Sequence, residues 1–527
     1  MIRRWELIGK ATEFVAEEMG VALRRSALSP NIRERMDHSC AVLTPAGEIV
    51  AQAEHIPVHL GSFKVGAESL LASLERDAIS LAKGDMVVVN DPYISGTHLN
   101  DVMILAPVFV KGRVIAHVVN KAHIVDVGGP APGSLNPDAT TLDEEGLVIS
   151  PTRIVRGGGV VSAVLREVRS HFKDPETGIG DLHAQIAANR TGIERVRELF
   201  ERFGASTVRQ GWLGSNENTR TVVRSELARW RRGTYRSVDY LELEGRLLPI
   251  RLRLEIAKGA VIADFEGSHP QVEAPLNAVL GVTYSATAFA VRSALPSAIA
   301  TNGGFYSAVT VRAPPGSLVN PVRPAAVSAG NVETSQRIAD VVFRALSRAM
   351  PGTIPAASAG TMMNVLLGGR RATGDYWAYY ETVGGGSGAR PGADGVSAVQ
   401  TNMTNTLNTP IEIAEREYPL FFTRYAVRAD SGGRGRFRGG DGIVRSFKVR
   451  RQTTLSVISD RALRGPWGLG GGLRGRPSTV TIVRGGRRAR MSGKFVTRLS
   501  PGDEVVLETP GGGGFGRPVR RTASSSA

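Results

Sequence analysis

Runs of apolar residues rich in Val and Ile recur between residues 84 and 129, each bounded by Gly, Pro, Asn or Asp. Apolar runs of about four to eight residues with such boundaries are typical of buried strands. The pattern predicts three strands, at 86–90, 103–109 and 113–120. Polar and ionisable side chains collect where these strands stop, and functional residues are disproportionately found at such loop ends. We therefore expect the functional site here, with the rest of the chain as its scaffold.

The spacing of apolar residues elsewhere is helical in some segments and alternating in others. Helical spacing predicts helices over 5–28, 62–83, 181–205, 213–233 and 333–350. A compact turn sequence, Thr44–Gly47, separates two short strand-like runs and predicts a β-hairpin. Beyond residue 236 alternating residues predict an antiparallel sheet, and from 351 to about 516 short strands alternate with Gly-rich turns.

The length of 527 residues is too great for one compact core, so several domains are expected. The predicted fold class is α+β and multidomain, with several mixed or antiparallel sheets, flanking helices and a β-rich C-terminal part. The predicted divisions are an N-terminal α+β domain (1–235), a middle α+β domain (236–350), a β-rich domain (351–516) and a disordered tail (517–527).

The chain is strongly basic, with a formal net charge of +16 and a pI of about 10.3. Such a charge makes nucleic acid a candidate partner. The Arg and Lys residues are scattered, however, and few aromatic residues lie among them. The charge therefore indicates a basic, solvated surface rather than a nucleic-acid interface.

The single cysteine, Cys40, excludes an internal disulfide framework and a thiolate-rich metal site. It lies in strand-like sequence without a local basic partner, which favours a buried core position over a nucleophile. The N-terminus lacks the unbroken apolar run of a secretory signal, and no stretch approaches the ~18–20 apolar residues of a membrane span. We therefore expect a cytoplasmic protein with no membrane partner.

Four residues near predicted strand ends have side chains suited to a divalent transition metal: Asp37, His98, Asp101 and His123. His98 and Asp101 are three residues apart in a loop, close enough to chelate one ion. His123 ends a neighbouring strand and can reach the same point. Mixed imidazole and carboxylate ligation suits Zn, Mn or Fe rather than Ca, and such an ion would polarise a carbonyl and lower the pKa of bound water. The alternative is structural, since a histidine at a strand end is often simply hydrogen-bonded.

Other ionisable residues near these strands are weaker candidates. Asp126 follows closely and could be a further ligand, or could hold an imidazole in one tautomer. His55 and His59 bracket a short apolar segment, and both a substrate-pocket role and plain loop packing stay open for them. His38 would face the opposite side of an extended segment and is not expected as a ligand. The glycine run at 384–388 lacks the ending of a phosphate loop, so this chain is not expected to bind ATP itself.

These residues lie in ordered sequence blocks that resemble the hydantoinase B/oxoprolinase family. This is the B-type component of ATP-dependent hydantoinases, N-methylhydantoinase among them, of 5-oxoprolinases and of related acetone carboxylase subunits. Blocks that follow the family's order include RERMDHSCAVL, GDMVVVNDPYISGTHLNDV, NKAHIVDVGG, YYETVGGGSGARPGADG and ETPGGGGFG. The resemblance covers nearly the whole chain.

The resemblance implies a site, a partner and a reaction. The family's metal ligands and catalytic residues fall on Asp37, His98, Asp101 and His123. The residues then expected to contact the substrate are His55, His59 and Asp126. A separate A-type subunit, an ATPase of actin/hexokinase-like fold, would bind ATP and phosphorylate the carbonyl of a cyclic amide, so a hetero-oligomer is expected. This chain would then open the ring of the hydantoin or lactam with water activated by the metal.

The chain departs from the family pattern at three positions where members often carry histidine, namely Ile124, Gln400 and Asn402. These departures leave the substrate open. The alternative reaction is that of an acetone- or acetophenone-type carboxylase, although the compact ending ETPGGGGFG favours hydrolysis. A third alternative, a non-catalytic basic scaffold, requires the four ligands to be inert and its binding to depend strongly on salt.

Overall fold

The computed structural model describes residues 4–53 and 55–518. Within these ranges the chain forms four sheets, of seven, four, four and five strands, with helices packed against them. This arrangement confirms the α+β class predicted from the sequence. No helix in the described ranges is long and apolar enough to cross a membrane.

The first sheet is antiparallel throughout and has the strand order β2-β1-β5-β4-β3-β6-β7. Its strands are β1 (His38–Leu43), β2 (Ile49–Ala53), β3 (Met86–Val89), β4 (Asp101–Val110), β5 (Arg113–His123), β6 (Thr152–Arg156) and β7 (Gly159–Val160). β1 and β2 form the predicted hairpin, and β3, β4 and β5 correspond to the three predicted strands. Every residue of β1 and the first eight of β4 are buried, because these central strands are covered on both faces.

The helices of this region pack around the first sheet. They are α1 (Arg4–Ser26), α2 (Pro30–Arg33), α3 (Pro57–Arg76), α4 (Pro92–Ser95), α5 (Ser162–His171), α6 (Pro175–Phe203) and α7 (Ala205–Ala228). Buried amides tie α6 to the two central strands. The Gln185 side chain donates to the carbonyl of Val102 at 2.8 Å, and the Asn120 side chain donates to the carbonyl of Gln185 at 2.9 Å. These bonds fix the sheet next to the start of β4.

The second sheet has the order β11-β10-β9-β8, and only its β10–β11 pair is parallel. Its strands are β8 (Gly233–Leu243), β9 (Arg246–Ala257), β10 (Ala260–Asp264) and β11 (Val309–Arg312). The helices around it are α8 (Leu280–Ser293), α9 (Gly303–Tyr306) and α10 (Ser335–Ala349). A π-helical segment, Gly330–Thr334, leads directly into α10. Single π-helical turns of this kind are frequent at functional sites.

Two further antiparallel sheets make up the C-terminal part, with the orders β13-β12-β16-β19 and β14-β15-β20-β17-β18. The first contains β12 (Asn364–Arg370), β13 (Tyr376–Thr382), β16 (Thr453–Ile458) and β19 (Lys494–Leu499). The second contains β14 (Leu420–Arg428), β15 (Gly442–Val449), β17 (Thr479–Arg484), β18 (Arg487–Met491) and β20 (Glu504–Glu508), and α11 (Ile411–Glu417) precedes it.

The apolar side chains form two cores. The larger extends from α1 to α10 and includes Leu366, Tyr380 and Ile458 of the C-terminal part. The smaller joins side chains of both C-terminal sheets, such as Leu367 and Phe447. The domain boundaries drawn from the sequence remain predictions, and all but the first two residues of the predicted tail lie outside the described ranges.

Candidate metal centre

The register of the first sheet brings the candidate ligands together. Asp101, the first residue of β4, is paired across the sheet with His123, the last residue of β5. His98 lies in the turn before β4, and its carbonyl accepts the backbone N–H of Asp101 at 3.0 Å. Asp37 immediately precedes β1, and its carbonyl accepts the backbone N–H of His123 at 3.1 Å. Three segments distant in sequence therefore end at one point.

Three ligand atoms at this point form a nearly equilateral triangle. His98 Nε2 lies 3.1 Å from Asp101 Oδ1 and 3.2 Å from His123 Nδ1, and the last two atoms lie 3.3 Å apart. All three residues are buried and together could hold a metal ion. A four-coordinate ion with ligand distances of about 2.0–2.1 Å separates its ligand atoms by about 3.3 Å, so the triangle fits a transition metal.

Asp37 and His59 flank the triangle. Asp37 Oδ2 lies 3.9 Å from His123 Nδ1, and His59 Nε2 lies 3.2 Å from the second carboxylate oxygen of Asp101. The other nitrogen of His59 contacts the Ser39 hydroxyl at 3.1 Å. A histidine in this position orients the carboxylate, and groups that orient metal ligands commonly tune metal affinity.

The protonation states suit metal binding. Burial pushes the pKa of Asp101 upward, but the imidazoles of His98 and His59 outweigh burial and hold that pKa well below its usual range. Burial lowers the pKa of His123, and the opposing charge of Asp37 does not restore it. Burial also works against the charged form of His98, yet the Asp101 carboxylate raises the His98 pKa above its usual value. An ionised carboxylate and a neutral imidazole are the forms that bind metals.

The cluster lines a cavity of about 20 Å³. That volume holds an ion or one water molecule but no organic substrate. Its other walls come from the π-helical segment and from the C-terminal part: Asn331, Val332, Met362, Tyr380, Thr382, Met403, Thr404 and Thr406. The Tyr380 ring stacks on the His123 ring, with centroids 4.9 Å apart and an interplanar angle of 22°.

Two of the residues expected at the substrate lie away from the cluster. The Asp126 carboxylate accepts the backbone N–H of Gly128 at 2.9 Å and lines a separate cavity of about 330 Å³. His55 lies 3.4 Å from Glu17, and its ring centroid is 4.9 Å from that of His38. Of the three predicted substrate contacts, the structure brings only His59 to the cluster.

The three positions that depart from the family pattern do not line the small cavity. Ile124 is buried and lines the same larger cavity as Asp126. The Gln400 side chain donates to the carbonyl of Thr382 at 3.2 Å, and the Asn402 side chain donates to Asp340 at 3.1 Å. Cys40 is fully buried, as predicted, and burial raises the pKa of its thiol.

Sequence patterns gave no reason to select four further residues that shape the site: Asn31, Arg35, Asn331 and Tyr380. The Asn31 side chain donates to the carbonyl of His123 at 2.9 Å. The Asn331 side chain donates to Asp101 Oδ2 at 3.4 Å, which leaves its own carbonyl oxygen unpaired. Their sequence signals were weak, because uncharged polar residues and an arginine in a loop are most often solvated.

Comparison with known proteins gives the chain a context. A family model described as hydantoinase B/oxoprolinase matches residues 3–518. An uncharacterized protein of Methanocaldococcus jannaschii is 46% identical over 516 residues, which cover 98% of this chain and 91% of that protein. The protein 5-oxoprolinase 1 of Arabidopsis thaliana is 37% identical over 532 residues, which cover 96% of this chain and 41% of that protein. The chain therefore spans less than half the length of the plant relative.

Two solved structures share the fold. The ATP-dependent caprolactamase of Pseudomonas jessenii superposes with a TM-score of 0.90 at 26% identity, over 98% of this chain and 92% of that chain. The nucleotide-free acetone carboxylase superposes with a TM-score of 0.92 at 20% identity, over 98% of this chain and 76% of that chain. The second likeness is one of fold alone.

Proposed function

This chain belongs to the hydantoinase B/oxoprolinase family, and we propose that it is the metal-dependent B-type subunit of an ATP-driven cyclic amidohydrolase. In this proposal a partner subunit phosphorylates the carbonyl of a hydantoin or lactam, and this chain opens the ring. The family includes 5-oxoprolinases and hydantoinases, which act on such rings. The proposed compartment is the cytoplasm.

The observation that carries the proposal is the buried triangle of His98, Asp101 and His123, with edges of 3.1–3.3 Å. These residues would hold a Mn, Zn or Fe ion, with Asp37 beside them. A bound ion of this kind supplies Lewis acidity toward a carbonyl oxygen and lowers the pKa of water.

The remaining residues would orient the ligands and exclude bulk water. His59 fixes the Asp101 carboxylate, and the Tyr380 ring holds the plane of the His123 imidazole. Because the cavity holds little more than one water molecule, a substrate must displace part of its wall. Met362 and Met403 line that wall, and their unbranched side chains can adopt other rotamers readily.

Activation would come from an A-type ATPase of actin/hexokinase-like fold, in a hetero-oligomer with this chain. An unstrained amide is resonance-stabilised, so its cleavage gains from coupling to ATP. More than half of the plant 5-oxoprolinase has no counterpart in this chain, which supports the existence of a separate activating component. The caprolactamase, whose name includes its ATP dependence, supports a lactam as the ring that is opened.

The second candidate is a subunit of an acetone- or acetophenone-type carboxylase. The likeness to acetone carboxylase supports it, but this chain covers 76% of that chain against 92% of the caprolactamase chain. Hydrolysis is therefore the proposal that we prefer.

The deciding experiment combines the purified chain with its A-type partner, ATP and a panel of lactams, hydantoins and ketones. Ring opening is measured as the new amine, and carboxylation as fixed labelled bicarbonate. We expect ring opening that needs both chains and ATP and that His98→Ala abolishes. Fixed bicarbonate without amine would favour the carboxylase. ATP hydrolysis by this chain alone would contradict the proposed division of labour.

A further inference from the structure

Arg35 is a buried cation without a carboxylate partner. The structure buries four arginines almost completely, and Arg35 is 1% exposed. The other three form ion pairs: Arg337 with Asp460 at 2.6 Å, Arg445 with Glu381 at 2.8 Å, and Arg461 with Asp340 at 2.6 Å. Among the side chains that the structure describes, no carboxylate lies within ion-pair distance of Arg35. A buried, unpaired charge is strongly unfavourable, so a function must retain it.

The immediate partners of Arg35 are all neutral. Its guanidinium donates to the Asn31 side chain, to the carbonyl of Tyr380 at 3.1 Å, and to the hydroxyls of Thr382 and Thr406 at 3.1 and 3.2 Å. The guanidinium also lies over the Tyr380 ring, 4.5 Å from its centroid. Its Nε has no partner. Tyr380 thus separates Arg35 from His123, which stacks on the same ring.

The nearest negative charges are already assigned to the metal site. Asn31 links Arg35 to Asp37, since the Asn31 side chain also donates to Asp37 at 3.5 Å. Asp37 and Asp101 carry two negative charges, which a divalent ion would balance. With the ion bound, the positive charge of Arg35 is left over, and arginine cannot lose its proton in a protein. The site then favours an anionic ligand.

Two hydroxyls transmit this charge to the cavity. Thr382 and Thr406 both line the cavity of the metal cluster, and both accept from the guanidinium of Arg35. Their oxygens lie 2.7 Å apart, and Thr404 lies 3.4 Å from Thr406 in the same wall. Since a hydroxyl that accepts from arginine keeps its own hydrogen for donation, this wall can donate to an oxyanion.

We propose that Arg35, Thr382 and Thr406 form the receptor for a tetrahedral oxyanion, namely the phosphoryl group of the activated substrate and the inorganic phosphate released from it. This inference rests on the proposed function, which brings a phosphorylated substrate to the metal. Phosphate is larger than the cavity of about 20 Å³, so it enters as the flexible side chains of Met362 and Met403 move aside. Charge-assisted hydrogen bonds from arginine are the strongest that a protein offers a phosphate.

The test titrates inorganic phosphate into the full-length, manganese-loaded chain by calorimetry, without ATP, partner or lactam. We expect saturable binding, with Kd raised at least about tenfold in Arg35→Met and partly restored in Arg35→Lys. Thr406→Val removes one hydroxyl at nearly constant volume and should raise Kd about threefold to tenfold. The matched control is Thr287→Val, a buried threonine of α8 whose hydroxyl bonds only to its own helix. Metal content is measured in every variant.

Each outcome bears on the receptor. Absent phosphate binding in the wild type, or equal Kd values in the wild type and Thr406→Val, would overturn it even if Arg35→Met failed to fold. Acetate and 6-aminohexanoate distinguish the source of the anion, because equal affinity for a carboxylate would contradict the phosphoryl assignment. Arg35-dependent phosphate binding in a chain that opens no lactam would keep the receptor and reject the substrate. Lactam opening with unchanged phosphate binding in Arg35→Met would do the reverse.

Discussion

Asp101 and His123 are directly paired across two adjacent antiparallel strands, at the first residue of β4 and the last residue of β5. The distance of 3.3 Å between Asp101 Oδ1 and His123 Nδ1 is therefore fixed by the sheet rather than by a mobile loop. Both strands are tied to α6 by buried amides, so the ligand pair sits on a rigid frame. Sites built on strands hold their ligands more accurately than sites on loops.

Asp101→Asn and His123→Ala should each remove the metal. Each substitution takes away one corner of the triangle, and we expect metal affinity to fall about 100-fold or more. Elemental analysis of the purified variants measures the loss. His117→Ala is the matched control, since His117 is buried on the same strand but six residues away, at Leu43. Stoichiometric metal in both ligand variants would show that the triangle is not the site.

His59→Gln should weaken metal binding without abolishing it. His59 touches Asp101 through the oxygen that faces away from the triangle, so its loss disorients the carboxylate but leaves three ligands. Loss of such an orienting group typically lowers affinity by about 10- to 100-fold. Competition with a fluorescent chelator gives the affinity. The control His55→Gln makes the same change outside the cluster and should bind metal as the wild type does. Complete loss of metal in His59→Gln would instead identify His59 as a ligand.

Much of this site follows from the sequence because its ligands lie beside strong strand patterns. The runs that became β3, β4 and β5 placed His98, Asp101 and His123 at strand ends, and the structure joins them there. Arg35 escaped notice for a physical reason: its burial depends on Tyr380 and Thr382, more than 340 residues away in the chain. Contacts at that separation leave no local periodicity to detect.

The fold shows the same division. The amphipathic helices were predicted because one face is polar, whereas α8 was missed since it is buried on nearly all sides and has no polar stripe. Asp126 shows the converse error of proximity in sequence. It lies three residues after His123, yet β5 has ended and the chain turns toward the larger cavity. Nearness along the chain beyond a strand end therefore does not predict nearness in space.

Glu333 should make stability fall as the pH rises. This glutamate of the π-helical segment is fully buried, and burial raises its pKa from 4.5 to about 8 in the folded chain. The folded state therefore favours the protonated form between those values, and its stability falls by up to about 1.4 kcal/mol per pH unit across the window. Glu333→Gln mimics the protonated form and should remove this slope. Urea unfolding at pH 5, 6, 7 and 8 measures it, and parallel curves for the two proteins would contradict the assignment.

Gly330→Ala should disrupt both the fold and the metal site, because a Cβ at this position would lie 1.9 Å from the carbonyl oxygen of Asn277. The Asn277 backbone cannot retreat easily, since its side chain donates to three carbonyls, including that of Ala326 at 2.8 Å. The π-helical segment must move instead, and Asn331 moves with it, away from Asp101. Overpacking of this kind should destabilise the fold by about 3 kcal/mol.

Urea unfolding and chelator competition measure the two effects of Gly330→Ala separately. The matched control is Gly159→Ala on β7, where the added Cβ would lie 3.6 Å from the nearest heavy atom, the Arg156 carbonyl oxygen. That contact is ordinary, so its stability should stay within about 0.5 kcal/mol of the wild type. If Gly330→Ala unfolds earlier but binds metal normally, the segment serves the fold alone. If it loses metal affinity as well, the close approach of Gly330 to Asn277 is what holds the wall of the cavity against the ligands.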